Sequence, residues 1–168
     1  MNYIITGNLI ALVASLLMVY SGIVKKKSDI IYIQTIQILL SVVSNIVLGG
    51  ITGAIVNFAS CIRNILCYKN KLGSKEKFIL ILIVSVLSIK FNNLSIIGLL
   101  PLISTVIYTL LINITDLVKF KWVLALTSVL WFIYDLYIKS LSAIFDLLFI
   151  ISNIITIYQL KKYKDDKK

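Results

Sequence analysis

Seven long apolar runs, joined by short polar links, constrain this chain of 168 residues more than any other feature. The chain is 60% hydrophobic and only 14% charged, whereas about a quarter of the residues in a soluble domain are charged. Several runs approach the ~20 apolar residues that a helix needs to cross a bilayer. The sequence therefore predicts an all-α membrane protein, with a single integral membrane domain over residues 1–168 and no separate soluble domain.

The apolar runs predict seven transmembrane helices. Some of them are shorter than the bilayer is thick, and flanking Lys and Tyr side chains can make up the difference by reaching the interface. The predicted spans are Ile4 to Val24, Ile30 to Leu48, Gly53 to Tyr68, Phe78 to Ile89, Ile96 to Ile112, Trp122 to Ile138 and Leu141 to Leu160.

The lysines predict the orientation of these spans. The first residues, MNYIITG, carry no positive charge of the kind that precedes a cleaved signal sequence, so the first span is expected to stay in place with its amino end outside. Seven spans then bring the lysines of residues 25–27, 69–77, 119–121 and the tail to the cytoplasmic side, leaving Lys90 and Lys139 outside. The net charge of +10 thus follows the positive-inside rule, and we expect no nucleic-acid partner.

The residue types present exclude much catalytic chemistry. The chain has no His, which removes the commonest general base and most zinc sites. Cys61 and Cys67 lie six residues apart in one helix, on different faces, so no disulfide is expected between them. Two intramembrane acids resemble those of aspartyl intramembrane proteases, but Asp146 follows Ala-Ile-Phe rather than the Gly-x-Gly of those enzymes. We therefore expect no enzyme, no metal and no cofactor.

An internal repeat organises the predicted helices. The segment GAIVNFASCIRNI at residues 53–65 shares five of thirteen positions with SAIFDLLFIISNI at residues 142–154. The same offset overlays spans one, two and three on spans five, six and seven, with span four as a linker. The prediction is two parallel three-helix repeats joined by a linker helix, a 3+1+3 arrangement. Repeat one covers about 4–68, the linker helix about 78–91, repeat two about 96–160 and a basic cytoplasmic tail 161–168.

Polar residues inside the spans are the candidate functional residues, because a polar side chain in hydrocarbon is costly. The predicted substrate-binding residues are Asn57, Asp146, Trp131, Tyr134, Asn64 and Asn153. The predicted gate or structural polar residues are Arg63, Asp135, Gln37 and Pro101.

Several of these residues have a plainer interpretation as well. Arg63 is either an interfacial side chain that snorkels or a gate or anion contact near the inner mouth, and Asp135 is either an outer-surface acid or part of a site. Asp146 is expected to line a cavity, as proton acceptor, cation contact or hydrogen-bond acceptor. Trp131 either packs or stacks on a sugar, and Pro101 either kinks its helix or serves as a hinge for alternating access.

Four stretches resemble a known family. They are GAIVNFASCIRNILCYKNK, PLISTVIYTLL, VLWFIYDLYIKS and SNIITIYQLKK, which together cover most of the chain. The chain resembles the bacterial inner-membrane YgjV family, and more distantly the SWEET/PQ-loop superfamily. The first resemblance implies a bacterial cytoplasmic membrane. The second implies a solute pocket between two three-helix units, with Asn57, Asp146 and Trp131 nearest to the matching positions.

Two functions from different classes follow. The first is a transporter of a small polar solute through a pocket between the repeats. The second is a non-transporting interaction or assembly subunit, whose polar stripes contact partner helices and whose basic faces bind anionic lipid or a cytosolic partner. A transporter should direct the stripes of spans two, three, six and seven into one cavity, whereas a subunit should direct them to lipid or a neighbouring chain. The expected partners are the bilayer and a small polar solute, and association into a homo-oligomer is compatible with the sequence.

Overall fold

Seven α-helices make up the described part of the chain, which covers residues 2–48, 51–92, 96–137 and 142–165 of the computed structural model. Each predicted span falls on one helix. The predicted boundaries at Gly49-Gly50, Asn93, Ile138 and Leu141, the predicted side of Lys139, and tail residues 166–168 lie outside the described residues. The helices are α1 (Asn2–Ile23), α2 (Lys27–Leu48), α3 (Ile51–Tyr68), α4 (Ser74–Phe91), α5 (Leu100–Leu111), α6 (Leu117–Tyr137) and α7 (Ser142–Asp165).

Polar residues at the links define where helices begin and end. Asn70 follows α3 with a φ of 54°, a left-handed conformation that Asn tolerates. The Lys71 amide donates to the Leu66 carbonyl at 2.8 Å and the Asn70 amide to the Cys67 carbonyl at 3.0 Å, as in a Schellman motif. Asp116 begins α6 as an N-cap, accepting a hydrogen bond from the Lys119 amide at 2.8 Å.

Pro101 lies in the first turn of α5, after a short 3-10 turn at Ile97–Leu99. The first turn of a helix has no intrahelical acceptor for its amides, so a residue without an N–H is well tolerated there. The predicted kink within a continuous helix from Ile96 is therefore wrong. Pro101 begins the α-helix instead of bending it.

The helices pack as a closed ring in the order α1, α2, α3, α5, α6, α7, with α7 returning to α1. Helix α4 packs against both α3 and α5. Lysine side chains link helix ends across the bundle: Lys27 Nζ donates to the Ile114 carbonyl at 2.6 Å and Lys77 Nζ to the Leu110 carbonyl at 2.8 Å. The starts of α2 and α4 thus meet the end of α5. We call this end, rich in lysine, the basic end.

An apolar cluster fills the bundle near the basic end. We call it the basic-end core, and its buried members are Ile30, Ile31, Leu72, Tyr108, Ile112, Phe120, Val123, Leu124 and Phe149. It joins residues of α2, α5, α6 and α7 with Leu72 of the link between α3 and α4. This packing closes the interior of the bundle on that side.

The distribution of polarity is the reverse of that in a soluble protein. Large apolar side chains face outward on every helix, for example Leu9, Phe58 and Ile144, each more than half exposed. Strongly polar side chains such as Arg63, Asn64 and Asp146 are buried. Such a surface needs an apolar solvent. Among the described residues, four helical segments are long and apolar enough to cross a membrane: Tyr3–Ile23, Lys27–Leu48, Leu117–Tyr137 and Ser142–Tyr163.

Candidate functional site

A cavity of about 730 Å³ lies inside the ring of helices, and all seven helices contribute to its wall. Its volume falls within the roughly 300–1,000 Å³ that is typical of small-molecule sites. Many polar side chains reach this wall. Its polar and aromatic residues include Gln34, Gln37, Ser41, Ser44, Asn45, Asn57, Ser60, Arg63, Ser88, Ser104, Thr105, Tyr108, Thr127, Ser128, Trp131, Tyr134, Asp135, Ser142 and Asp146.

Most of the residues singled out in the sequence line this cavity. From the predicted substrate-binding set these are Asn57, Asp146, Trp131 and Tyr134. From the gate or structural set they are Arg63, Asp135, Gln37 and Pro101. Their contact with a solute stays a prediction.

Asn64 and Asn153 are not among the residues that line the cavity, and their contact with a solute stays a prediction. Both have no exposed surface. Each follows a cavity residue by seven positions, Asn57 or Asp146, and therefore lies on the same helix face but about 10 Å nearer the basic end. Asn64 contacts the cavity only through its neighbour, because its Oδ1 accepts from Arg63, which does line the cavity. Asn153 Nδ2 donates to the Phe149 carbonyl at 2.9 Å, within its own helix.

The two intramembrane acids form one unit at the end of the cavity away from the basic end. Asp135 of α6 and Asp146 of α7 are both buried and both line the cavity, where their carboxyl groups lie close to each other. The interpretation of Asp135 as an outer-surface acid is therefore wrong. The pair presents acceptor oxygens to the cavity.

Two aromatic residues of α6 lie beside the acid pair. The rings of Trp131 and Tyr134 meet edge to face, with centroids 6.0 Å apart. Both line the cavity while being partly buried. Their packing against each other accounts for the orientation of Trp131, and an apolar ring face at this position could also cover the carbon atoms of a solute.

Arg63 lies at the other end of the cavity and is the only arginine of the sequence. Its side chain is buried, with 3% of its surface exposed, so the snorkelling interpretation is wrong. Its Nε and Nη2 both donate to Asn64 Oδ1, at 3.0 and 2.9 Å. The guanidinium carbon lies 4.2 Å from the centroid of the Tyr108 ring. Asn64 thus serves to orient Arg63.

Two further residues complete the floor of the cavity around Arg63. The Tyr108 hydroxyl donates to Gln34 Oε1 at 2.6 Å, joining α5 to α2. Tyr108, Leu124 and Phe149 belong both to the cavity wall and to the basic-end core. Gln34 belongs to the polar stripe of α2 that the sequence displays, but its partner on α5 could not be known from spacing.

Lys121 is a polar residue whose role the sequence did not indicate. It was grouped with the cytoplasmic lysines, yet it has no exposed surface. Its Nζ donates to the carbonyls of Ser21 and Gly22, at the end of α1. The Gly22 carbonyl also accepts a hydrogen bond from Thr156 Oγ1 at 3.0 Å. An ammonium at a helix carboxyl end satisfies carbonyls that have no intrahelical donor.

Lys27 makes the corresponding contact on the other side of the bundle. Helix α2 begins with this lysine, which donates to the Ile114 carbonyl just beyond α5. Lys121, near the start of α6, reaches the end of α1 in the same way. Each lysine thus connects the beginning of its own helix to the end of a helix that is not a neighbour in the ring.

Both cysteines are free thiols, as their spacing predicted. No cluster of potential metal ligands occurs in the part of the chain that the structure describes.

Comparison with protein families decides the identity of the chain. A family model described as a bacterial inner membrane protein, Imp-YgjV, matches residues 5–164. The chain belongs to the Imp-YgjV family. The predicted YgjV membership and the bacterial inner membrane are thereby confirmed. No curated protein and no solved structure matches the chain at a significant level, so the likeness of this Imp-YgjV protein to SWEET/PQ-loop proteins stays a prediction.

Proposed function

We propose that this inner-membrane protein transports a small polar solute through the cavity inside its ring of helices. The observation that carries the proposal is a cavity of about 730 Å³, lined by many polar side chains, within a bundle whose outer surface is apolar. Polar side chains within a bilayer carry a free-energy cost. A water-filled pathway through the bundle would hydrate them and so explain their presence. The proposal includes no enzymatic step.

The packing order of the helices supports the two-repeat arrangement. Contacts α1–α2 and α2–α3 correspond to α5–α6 and α6–α7, and the junction α3–α5 corresponds to α7–α1. Residues that the repeat overlays also share their environments: Asn57 and Asp146 both line the cavity, while Asn64 and Asn153 are both fully buried outside it. The crossing contacts of Lys27 and Lys121 add a third correspondence.

The same arrangement suggests which state of a transport cycle is observed. The positive-inside rule assigns the basic end to the cytoplasm, with the amino terminus outside and the carboxyl terminus inside. The cavity extends from Arg63 to residues at the opposite helix ends, such as Gly53 and Ser142, and the basic-end core closes its cytoplasmic side. An outward-facing state of an alternating-access transporter would have this form.

The alternative function, an assembly subunit, predicts polar stripes that face lipid or another chain. Polar residues of α2, α3, α6 and α7 instead line one shared cavity. This common orientation favours the transporter.

Thiol accessibility tests whether water reaches the cavity. The experiment uses cells that carry Asn57→Cys, with Cys61 and Cys67 replaced by Ala, treated from outside with a membrane-impermeant thiol reagent. Phe58→Cys is the matched control, because Phe58 lies at the same depth and is 59% exposed on the outer, lipid-facing surface. A thiol in lipid does not form the reactive thiolate. We expect labelling at position 57 and none at position 58.

Absence of labelling at position 57 from either side, in protein shown to be inserted, would contradict the proposal. In that case the cavity would be sealed in packing, and the assembly subunit would become the better account. Asp146→Cys extends the test to the acid pair.

A further inference from the structure

We infer that Arg63 binds an oxyanion group of the solute, a carboxylate or phosphate, so that the solute is a small anion or zwitterion. The inference rests on the proposed transport function and names the chemical class of its solute. Three observations carry it: the charge balance around Arg63, the donors that it leaves free, and the chemistry at the other end of the cavity.

The charge of Arg63 is not balanced by the protein. Among the described residues, no carboxylate forms an ion pair with Arg63. A guanidinium that is withdrawn from water without an anion is strongly disfavoured. The cation–π contact with Tyr108 offsets only part of that cost.

One edge of the guanidinium is occupied and the other is free. Nε and Nη2 donate to Asn64 Oδ1, which uses the edge they form. The remaining donors, on Nη1 and the far side of Nη2, have no acceptor among the described residues. This pair of parallel N–H groups matches the spacing of two oxygens in a carboxylate or phosphate.

The surroundings hold Arg63 in one orientation before any ligand arrives. Asn64 fixes one edge, and the Tyr108 ring supports one face. Tyr108 is itself held by its hydrogen bond to Gln34. An arginine that is fixed in this way loses little side-chain entropy on binding, which favours a recognition role over that of a mobile charge.

The opposite end of the cavity selects for a different group. Asp146, and with it the acid pair, lies roughly 12 Å from Arg63 along the bundle axis, as counted from the starts of α7 and α3 at 1.5 Å per residue. Its carboxyl oxygens accept hydrogen bonds, so they favour an ammonium or hydroxyl group and disfavour a second anion. The preferred solute therefore carries an oxyanion at one end and hydrogen-bond donors at the other.

Protection of Asn57→Cys from thiol labelling tests this inference. The probes are 6-aminohexanoate, hexylamine, which lacks the carboxylate, adipate, which carries a carboxylate in place of the ammonium, and inorganic phosphate. We expect 6-aminohexanoate to slow the labelling, adipate to do so more weakly and hexylamine to have no effect. Protection by phosphate as strong as that by 6-aminohexanoate would identify the oxyanion as the inorganic one, still bound at Arg63.

Variants of Arg63 assign the protection to that side chain. Arg63→Gln should raise the probe concentration needed for half protection about 10- to 100-fold, as expected for the loss of a charge-assisted hydrogen-bond pair. Arg63→Lys keeps the charge but lacks the planar pair of donors, so it should raise that concentration by an intermediate factor. This variant tests the inference if the Gln variant does not insert. Lys75→Gln is the control, because Lys75 is exposed at the basic end.

The outcomes separate this inference from the transport proposal. Labelling at the full rate in the presence of every oxyanion probe would overturn the inference while leaving the cavity open to water. Protection by hexylamine alone, or protection that is unchanged in both Arg63 variants, would overturn it too. An unlabelled Asn57→Cys would instead contradict the proposed function itself.

Discussion

Two buried cations of this protein are stabilised in opposite ways. Lys121 donates hydrogen bonds to the carbonyls at the end of α1, so its ammonium group caps that helix. Arg63 keeps one edge of its guanidinium free toward the cavity. Both side chains are buried, but of the two only Arg63 lines the cavity, where its remaining donors can meet a ligand. The free donors, and not burial as such, mark the candidate binding residue.

Replacing Lys121 should destabilise the folded protein. Lys121→Met keeps the length and apolar stem of the side chain but leaves the carbonyls of Ser21 and Gly22 with fewer donors. We expect a loss of about 1–3 kcal/mol in the free energy of unfolding, the cost of leaving buried acceptors unsatisfied. Thermal unfolding in detergent, followed by circular dichroism, measures this effect.

Lys119→Met is the control for the Lys121 prediction. Lys119 lies two residues away on the same helix, and its side chain is exposed. Its replacement should leave the melting temperature nearly unchanged. Equal effects of the two substitutions would mean that the loss of positive charge, and not the loss of the cap, controls stability.

At the scale of helices, the close approach of α1 to α7 depends on a glycine. A Cβ atom built on Gly22 would overlap Ser152 Oγ and lie 2.9 Å from Ser152 Cβ. Ser152 Oγ also donates to the Val19 carbonyl at 3.4 Å, and the Gly22 carbonyl accepts from Thr156. Small residues at this crossing let the two backbones approach closely, as is common in membrane bundles.

Gly22→Ala should therefore push α1 and α7 apart. We expect a loss of about 1–3 kcal/mol in the free energy of unfolding, the usual cost of overpacking. The double variant Gly22→Ala with Ser152→Gly makes room for the new methyl group and should recover much of the melting temperature. Additive losses in the double variant would show that the contact between these two residues is not the cause.

The helices and their polar faces were predictable from the sequence. The depth of each polar residue within the bundle and its hydrogen-bond partners on distant helices were not. Apolar runs located all seven helices, because a bilayer span has a strong compositional signal. Spacing placed Asn64 on the face of Asn57, yet it could not indicate where along that face the cavity ends. Pro101 was expected to bend a helix that in fact begins there. The Lys121 contacts join residues about 100 positions apart, and no local pattern encodes them.

At the scale of the whole molecule, the predicted seven crossings would place the two termini on opposite sides of the membrane. A fluorescent protein that folds only in the cytoplasm, fused after residue 168, should therefore be bright. The same reporter fused after residue 137, at the end of α6, should be dark, because one crossing has been removed. A bright signal from both fusions would contradict seven crossings and the assignment of the basic end to the cytoplasm.

The contact between Lys121 and the end of α1 can form only late in translation. Helix α1 is synthesised first, but the side chain that caps its last carbonyls follows about 100 residues later. The hydrogen bond from Lys27 likewise cannot form until Ile114 has been synthesised. Until these contacts form, the carbonyls at the ends of α1 and α5 lack their lysine donors. The first half of the protein therefore reaches its final structure only when the second half has been translated.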